Sequence, residues 1–172
     1  MYNHDPSTLI HATYASRTIL PGEEITIAYI NILEPRHERQ SVLKGIWGFT
    51  CTCALCSGSP SQITASDQRL AQIAQLQTAL VDWSPTSTAT PKMALQLISL
   101  YEEEKVHAAR GMGHMFAALA YNAIGDTSKA KKYARMAIEA GLIGSEEMER
   151  DVREMTALRA RPREHWSFMI RG

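Results

Sequence analysis

Three cysteines stand within six residues of this chain, at Cys51, Cys53 and Cys56, and the sequence contains no other cysteine. This C-x-C-x-x-C spacing constrains the fold more than any other feature. An odd number of cysteines crowded into one segment does not make a disulfide framework, which needs pairs spread along the chain. Thiolates separated by one or two residues can instead wrap one Zn²⁺ ion, which prefers four tetrahedral ligands. We therefore predict a zinc site with three local ligands. The alternative is that the three are ordinary small buried residues.

The fourth zinc ligand has no diagnostic position in the sequence. His4, His11 and His37 are candidate donors, but none stands at a metal-ligand spacing from the cysteines. A lone histidine is more often structural or exposed to solvent, so the zinc site is incomplete in the sequence as it stands.

The cellular compartment follows from the cysteines and from the N-terminus. Reduced thiolates are typical of intracellular proteins. The first residues lack the basic and apolar segments of a secretion signal, and no apolar run approaches the roughly 20 residues that span a bilayer. We therefore predict the nucleus or the cytoplasm. Lys+Arg and Asp+Glu balance at 18 each, which argues against direct binding of nucleic acid or of a membrane surface.

The sequence pattern changes near residue 60. Strand signals at residues 8–16 and 24–30 flank a turn at Pro21-Gly22, a short helix follows at 36–44 with Gly45 at its end, and 57–66 is typical of a linker. From Asp67 onward the periodicity is helical. The predicted fold class is α+β, with a small β-rich unit at residues 1–60 and an all-α region at 67–172.

Five helices are predicted in the all-α region, at residues 67–81, 92–107, 112–124, 127–140 and 145–159. Asp67 is the predicted cap of the first. The pair at 112–140 resembles one tetratricopeptide unit, since its small and aromatic residues fall at that repeat's offsets: Ala118, Tyr121, Ala130, Ala137 and the Gly125-Asp126 turn. One unit cannot bury its own face, so neighbouring helices must complete the core. The alternative is a plain αα-hairpin in a bundle.

The motifs of the first 60 residues, taken together, resemble a known family. In chain order they are Asn3-His4, the run from Gly22 to Thr26 that leads to Tyr29, Trp47-Gly48-Phe49, and the three cysteines. This order resembles the C-terminal half of a SET domain with its post-SET cysteine loop. The helical tail looks like that of the SET-and-MYND branch and its fungal relatives. The resemblance implies an S-adenosylmethionine-dependent protein-lysine methyltransferase, truncated because the half that carries the glycine-containing cofactor loop is absent.

The resemblance also implies roles for the matching residues. Tyr29 matches the catalytic tyrosine, whose hydroxyl helps to orient the target amine and the methyl group. Asn3 and His4 match the pair that contacts the methyl donor, and Phe49 matches the aromatic residue near its adenine. The cysteines match three of the four post-SET zinc ligands. The family usually has Asn-His-x-Cys-x-Pro-Asn, where that cysteine is the fourth ligand, whereas here Asp5-Pro6-Ser7 follows His4.

Three functions follow as hypotheses. The first is a SET-type methyltransferase acting on a lysine of a histone or another protein. The second is a non-catalytic interaction module, in which the helical region binds a peptide and the SET remnant is structural. The third is a small zinc-binding helical protein unrelated to methylation. The motif order from Asn3 to Cys56 favours the first two.

Overall fold

The computed structural model describes residues 2–5, 10–13, 15–140 and 146–171, with the backbone alone described at 2–5, 10–13 and 146–149. The elements in chain order are β1 Tyr2–Asp5, β2 Ile10–Thr13, α1 Arg36–Trp47, α2 Pro60–Val81, α3 Pro91–Glu103, a 3₁₀ turn His107–Ala109, α4 Arg110–Ala123, α5 Thr127–Glu139 and α6 Glu146–Ala160. No helix in these ranges has the length and apolarity that crossing a membrane requires.

The β-rich part of the predicted α+β fold is wrong. The sheet found in the described ranges is one antiparallel pair, in which β1 runs beside β2 with His4 opposite His11. The second predicted strand, residues 24–30, forms no ladder although apolar residues alternate along it. Alternation of apolar residues favours a strand only where a neighbouring strand pairs with the backbone. No described residue forms such a pair with residues 24–30. The described part of the chain is predominantly helical.

Helix α1 begins after Pro35, as the sequence predicts, but it ends three residues later than predicted. It continues through Gly45 to Trp47, and Gly48 follows with a left-handed φ of 73° and donates its backbone N–H to the carbonyl of Leu43. A glycine inside a helix costs only about 1 kcal/mol. The left-handed position after the last turn favours glycine far more strongly, so the helix ends at the second glycine.

The predicted linker at residues 57–66 is also wrong, because α2 begins there at Pro60. Ser59 accepts a hydrogen bond from the backbone of Gln62, whose side chain in turn accepts one from the backbone of Ser59. This reciprocal capping box, with proline in the first turn, starts the helix. Asp67, the predicted cap of this helix, instead accepts a 2.8 Å hydrogen bond from the backbone N–H of Arg36 and so caps α1.

The helices from α2 onward pack together around two clusters of buried apolar residues. The first joins α2, α3 and the middle of α4, and its fully buried side chains include Ile73, Leu80, Leu97 and Tyr101. The second joins α4, α5 and α6, where alanines on α5 pack against Met155, among others. Small alanine side chains let neighbouring helices approach closely, so these helices bury their own apolar faces.

The turn between α4 and α5 agrees with the prediction. Gly125 has a left-handed φ of 79°, and the carboxylate of Asp126 accepts a 3.0 Å hydrogen bond from the backbone N–H of Lys129, which caps α5. The helical pair is therefore present with its predicted loop. Its membership of the tetratricopeptide class stays a prediction.

The segment after α6, which has no sequence periodicity, packs back onto the helices. The buried side chain of Asn122 in α4 donates to the carbonyl of Pro162 at 3.0 Å and to Ser167 Oγ at 2.9 Å. Near the end of the chain, the guanidinium of Arg171 lies 3.9 Å above the ring of Trp83. These contacts tie the C-terminal segment to the end of α4 and to the loop after α2.

Candidate metal centre and aromatic site

The cysteine loop is held against α1 by hydrogen bonds between side chains of α1 and the backbone of the loop. The side-chain amide of Gln40 in α1 donates to the carbonyl of Cys51 at 2.8 Å and accepts from its N–H at 3.0 Å. The carbonyl of Cys53 then accepts from the N–H groups of Cys56 and Ser57, both at 2.9 Å. Arg36, at the start of α1, donates from Nε to the carbonyl of Cys56 at 2.7 Å. These bonds fold the loop into a tight turn.

This turn brings the three sulfur atoms together. The Sγ atoms of Cys51, Cys53 and Cys56 all lie within 4.8 Å of one another. Tetrahedral thiolates with a Zn–S distance of about 2.3 Å have their sulfur atoms about 3.8 Å apart, so a small contraction of the loop would allow one zinc ion to bind all three. The three cysteines are therefore suited to supply three of the four ligands of a structural zinc ion.

The three thiols differ in their surroundings. Cys56 is buried, Cys51 is partly buried and Cys53 is exposed. Burial, together with the hydrogen bonds that Cys56 makes to the other two thiols, raises its pKa to about 11, and the contact with Arg39 only partly opposes this. Burial also disfavours ionisation of Cys53, but hydrogen bonds from the Cys56 backbone and from the neighbouring thiols outweigh it and lower the pKa of Cys53. Cys53 therefore ionises before Cys56.

A fourth ligand is not found among the side chains that the structure describes. The cluster of metal-binding side chains there contains the three cysteines alone. His37, one predicted candidate, has its Nε2 atom 3.2 Å from a carboxylate oxygen of Glu38 and is largely exposed. The side chains of the other two candidates, His4 and His11, lie outside the described residues. The three cysteine thiols are therefore the candidate ligands that lie together in the described part of the chain.

The residue predicted to be catalytic, Tyr29, lies in an aromatic cluster next to this loop. Its ring is 5.0 Å from that of Trp47 and 5.9 Å from that of Phe49, both in edge-to-face orientation. Trp47 closes α1 and Phe49 follows the Gly48 turn, so the end of this helix places both rings against the Tyr29 segment. A cavity of about 360 Å³ opens beside Tyr29 and Trp47 along α1.

The structure thus brings together the predicted zinc ligands, and it brings Tyr29 into contact with Phe49. The predicted cofactor residues Asn3 and His4 lie in β1, and their side chains are outside the described residues. Their roles, and those of Tyr29 and Phe49, stay predictions. Sequence reasoning missed Gln40, whose amide holds the cysteine loop, because a single glutamine on a helix carries no spacing signal.

Several curated proteins are similar to part of this chain. The chain is 39% identical over 66 residues to the histone-lysine N-methyltransferase SET5 of Meyerozyma guilliermondii, a match that covers 31% of this chain and 14% of that protein. It is 36% identical over 83 residues to the histone-lysine N-methyltransferase set5 of Schizosaccharomyces pombe, covering 42% of this chain and 26% of that protein. A plant relative, Protein SET DOMAIN GROUP 41 of Arabidopsis thaliana, is 46% identical over 44 residues, which is 26% of this chain and 8% of that protein.

These matches relate a stretch of the chain to SET-type histone-lysine methyltransferases. The chain spans only a small part of the length of these relatives. No family model matches the chain, and no solved structure matches it.

Proposed function

We propose that this chain supplies the tyrosine-bearing part of a SET-type protein-lysine methyltransferase that uses S-adenosylmethionine. Its substrate is a lysine of a histone or another protein in the nucleus or cytoplasm. The observation that carries the proposal is the contact of Tyr29 with Trp47 and Phe49 directly beside the cysteine loop. The names of the partial relatives, which are histone-lysine methyltransferases, support the same reaction class.

The residues suit the chemistry of methyl transfer to an amine. S-adenosylmethionine supplies an activated methyl group when bound. The hydroxyl of Tyr29 can accept a hydrogen bond from the target amine, which holds the amine in line while its lone pair stays free. The neighbouring rings of Trp47 and Phe49 supply an apolar wall beside the amine, and all three rings are partly exposed in this chain. The face of Phe49 suits an adenine ring, since flat aromatic groups pack well on one another.

The cysteines have a structural role in this proposal. Cys51, Cys53 and Cys56 would hold zinc as thiolates, and the zinc would cross-link the loop that follows Phe49. Because Phe49 lies two residues before Cys51, a loop fixed in this way keeps the Phe49 ring next to Tyr29. Zinc therefore acts here through the position of the aromatic cluster and takes no part in the reaction.

Binding of S-adenosylmethionine by the full chain tests the proposal. A ligand that binds only the native state raises the free energy of unfolding by about 2.7 kcal/mol at a concentration 100-fold above its Kd. We expect a higher melting temperature with S-adenosylmethionine, and a reduced rise in Phe49→Ala. Leu55→Ala is the matched control, because Phe49 and Leu55 are 40% and 41% exposed and only the former contacts Tyr29. An unchanged melting temperature at millimolar S-adenosylmethionine would overturn the proposed use of this methyl donor by the chain itself and would leave protein interaction as its function.

A second candidate function is protein interaction through the helices from α2 onward. The observation that favours it is a cavity of about 730 Å³ on the faces of α3, α4 and α5, well apart from the cysteine loop in the chain. This volume is in the range of ligand sites. The role needs no methyl donor, so it is tested separately.

A further inference from the structure

One charged side chain beside the cysteine loop is buried. Arg39 in α1 is 6% exposed, whereas Lys44 of the same helix is exposed. A guanidinium keeps its charge in a protein. Burying a charge is costly unless an opposite charge and hydrogen bonds replace the lost water. Some group near Arg39 must therefore balance its charge.

The partners of Arg39 in the described part of the chain do not include a carboxylate. Its Nη1 donates to the backbone carbonyl of Glu34 at 2.5 Å. No carboxylate oxygen of the described residues lies within 4.0 Å of its guanidinium. The nearby acids have other partners, since the Glu34 carboxylate accepts from Asn31 and Glu38 faces His37. A neutral carbonyl satisfies one donor of Arg39 but does not balance its charge.

Arg39 lies on the face of α1 that holds the cysteine loop. Arg36, three residues earlier, donates to the carbonyl of Cys56. Gln40, the next residue, holds the backbone of Cys51. Side chains three residues apart share one face of a helix, so Arg39 faces the loop between these two anchors. There its guanidinium contacts the thiol of Cys56, which is 3% exposed.

The two sulfur atoms at the end of the loop have different surroundings. Cys53 is exposed, and its sulfur accepts hydrogen bonds from the backbone N–H groups of Cys56 and Leu55. The sulfur of Cys56 is buried, and the cation that contacts it is Arg39. A negative charge on Cys56 would therefore depend on Arg39 more than one on Cys53 would.

A zinc site at this loop has the negative charge that Arg39 lacks. Three thiolates carry one more negative charge than a Zn²⁺ ion neutralises, and a thiolate as fourth ligand would increase the excess. An excess charge in a buried site is costly unless an opposite charge lies beside it. The guanidinium and the zinc-bound thiolates would thus each compensate for the burial of the other.

We propose that Arg39 is the counter-charge of the zinc–thiolate cluster and that it sets the affinity of the cysteine loop for zinc. Arg39 binds no metal itself and acts through Cys56, so it is a positioning residue. Groups that support metal ligands in this way typically change metal affinity by about 10- to 100-fold. The inference rests on the proposed zinc site and is independent of S-adenosylmethionine.

The zinc affinity of the full chain, measured under reducing conditions by competition with a chromogenic chelator, tests this role. We expect Arg39→Gln to weaken zinc binding at least tenfold, because glutamine keeps a donor for the Glu34 carbonyl but has no charge. Arg39→Lys should stay within about threefold of the parent, because lysine restores the charge. Lys44→Gln is the matched control, since it removes an exposed positive charge from the same helix and should bind zinc as the parent does.

Two further measurements separate a role in charge from a role in folding. Cobalt(II) bound by thiolates has a charge-transfer absorption, and Arg39→Gln should keep this absorption at saturating cobalt(II). In the unmutated chain, zinc should slow the exchange of the Arg39 guanidinium protons with water at least tenfold, as measured by nitrogen-15 NMR. Circular dichroism establishes that each variant keeps its helices.

Several outcomes would overturn the role of Arg39. These are unchanged zinc affinity in Arg39→Gln, equal losses in Arg39→Gln and Arg39→Lys, loss of the cobalt absorption, or guanidinium exchange that zinc does not slow. In each of these cases the unmutated chain still binds zinc, so the zinc site stands. An unmutated chain that binds no zinc would overturn the zinc site itself and the role of Arg39 with it.

Discussion

Residues 15–59 and residues 60–171 both carry many large apolar side chains, but only the second group buries them. In residues 60–171, Leu80, Leu97 and Met155 are essentially inaccessible to water. In residues 15–59, the buried apolar side chains are Leu43 and Cys56. The large apolar side chains exposed there are Ile19, Leu20, Ile25, Ile27, Tyr29, Ile32, Val42, Ile46, Trp47, Phe49 and Leu55. An exposed apolar patch of this kind is typical of a binding surface.

The contrast shows that the two regions are ordered by different interactions. The helices from α2 onward bury their apolar side chains against one another in two clusters. Residues 15–59 bury few apolar side chains, although Leu33 packs against the first apolar cluster. Polar contacts add to this: Asp67 bonds to the start of α1, Arg36 to the Cys56 carbonyl, and Gln40 to the backbone of Cys51. Such bonds are worth about 0.5–1.5 kcal/mol each. A metal ion at the cysteines would therefore stabilise the first region far more than the second.

The largest expected effect comes from a pair of variants that truncate a large apolar side chain, one in each region. Leu97 in α3 is 0% exposed and Ile46 in α1 is 74% exposed. We expect Leu97→Ala to lower the free energy of unfolding by about 2–5 kcal/mol through lost burial and a cavity. We expect Ile46→Ala to change it by less than about 0.5 kcal/mol. Denaturant unfolding followed by circular dichroism measures both. Equal losses in the two variants would show that Ile46 is buried in solution, and the contrast between the regions would fail.

Metal removal should give the next largest effect, and it should be local. In the proposed zinc site the ion holds the three thiolates of the cysteine loop together, whereas the helices beyond the loop take no part in that site. We expect a chelator to speed amide hydrogen exchange in residues 47–57 at least tenfold and to leave α3 and α4 unchanged. Cys53→Ser should reproduce the effect without a chelator. Freshly purified, reduced protein that contains no zinc, or exchange that is equally fast before and after chelation, would contradict the prediction.

The sequence predicts well those features that depend on neighbouring residues. The Pro21-Gly22 turn is present, with Gly22 at a φ of 81°, and Asp126 caps α5 as predicted. The three cysteines converge as their close spacing predicts. Each of these depends on a few consecutive residues whose conformational preferences point the same way.

The features that the sequence did not predict depend on partners far along the chain. Residues 24–30 have the alternation of a strand but no described neighbour to pair with. Asp67 caps α1, which begins 31 residues earlier, and this partner cannot be read from the residues around Asp67. The capping box of Ser59 and Gln62 was locally visible, but the serines and glycine around it favoured a linker. The packing of Asn122 against Ser167 spans 45 residues and has no periodic signal.

The smallest expected effect tests where α1 ends. Gly45 lies inside the helix, and a Cβ atom added there would meet no atom within 4 Å outside its own helix backbone and chain neighbours. Gly48 has equally open surroundings but lies in the left-handed conformation. We expect Gly45→Ala to stabilise α1 by about 0.5–1 kcal/mol, because alanine loses less backbone entropy on forming a helix. We expect Gly48→Ala to destabilise it by about 1–2 kcal/mol, because a Cβ atom disfavours a positive φ.

Both changes add the same methyl group, so only the backbone conformation distinguishes them. Amide exchange within α1 measures the two effects. If the helix ended at Gly45, as the sequence alone suggests, Gly45→Ala would instead destabilise α1, since Gly45 would then be the residue that needs the left-handed conformation.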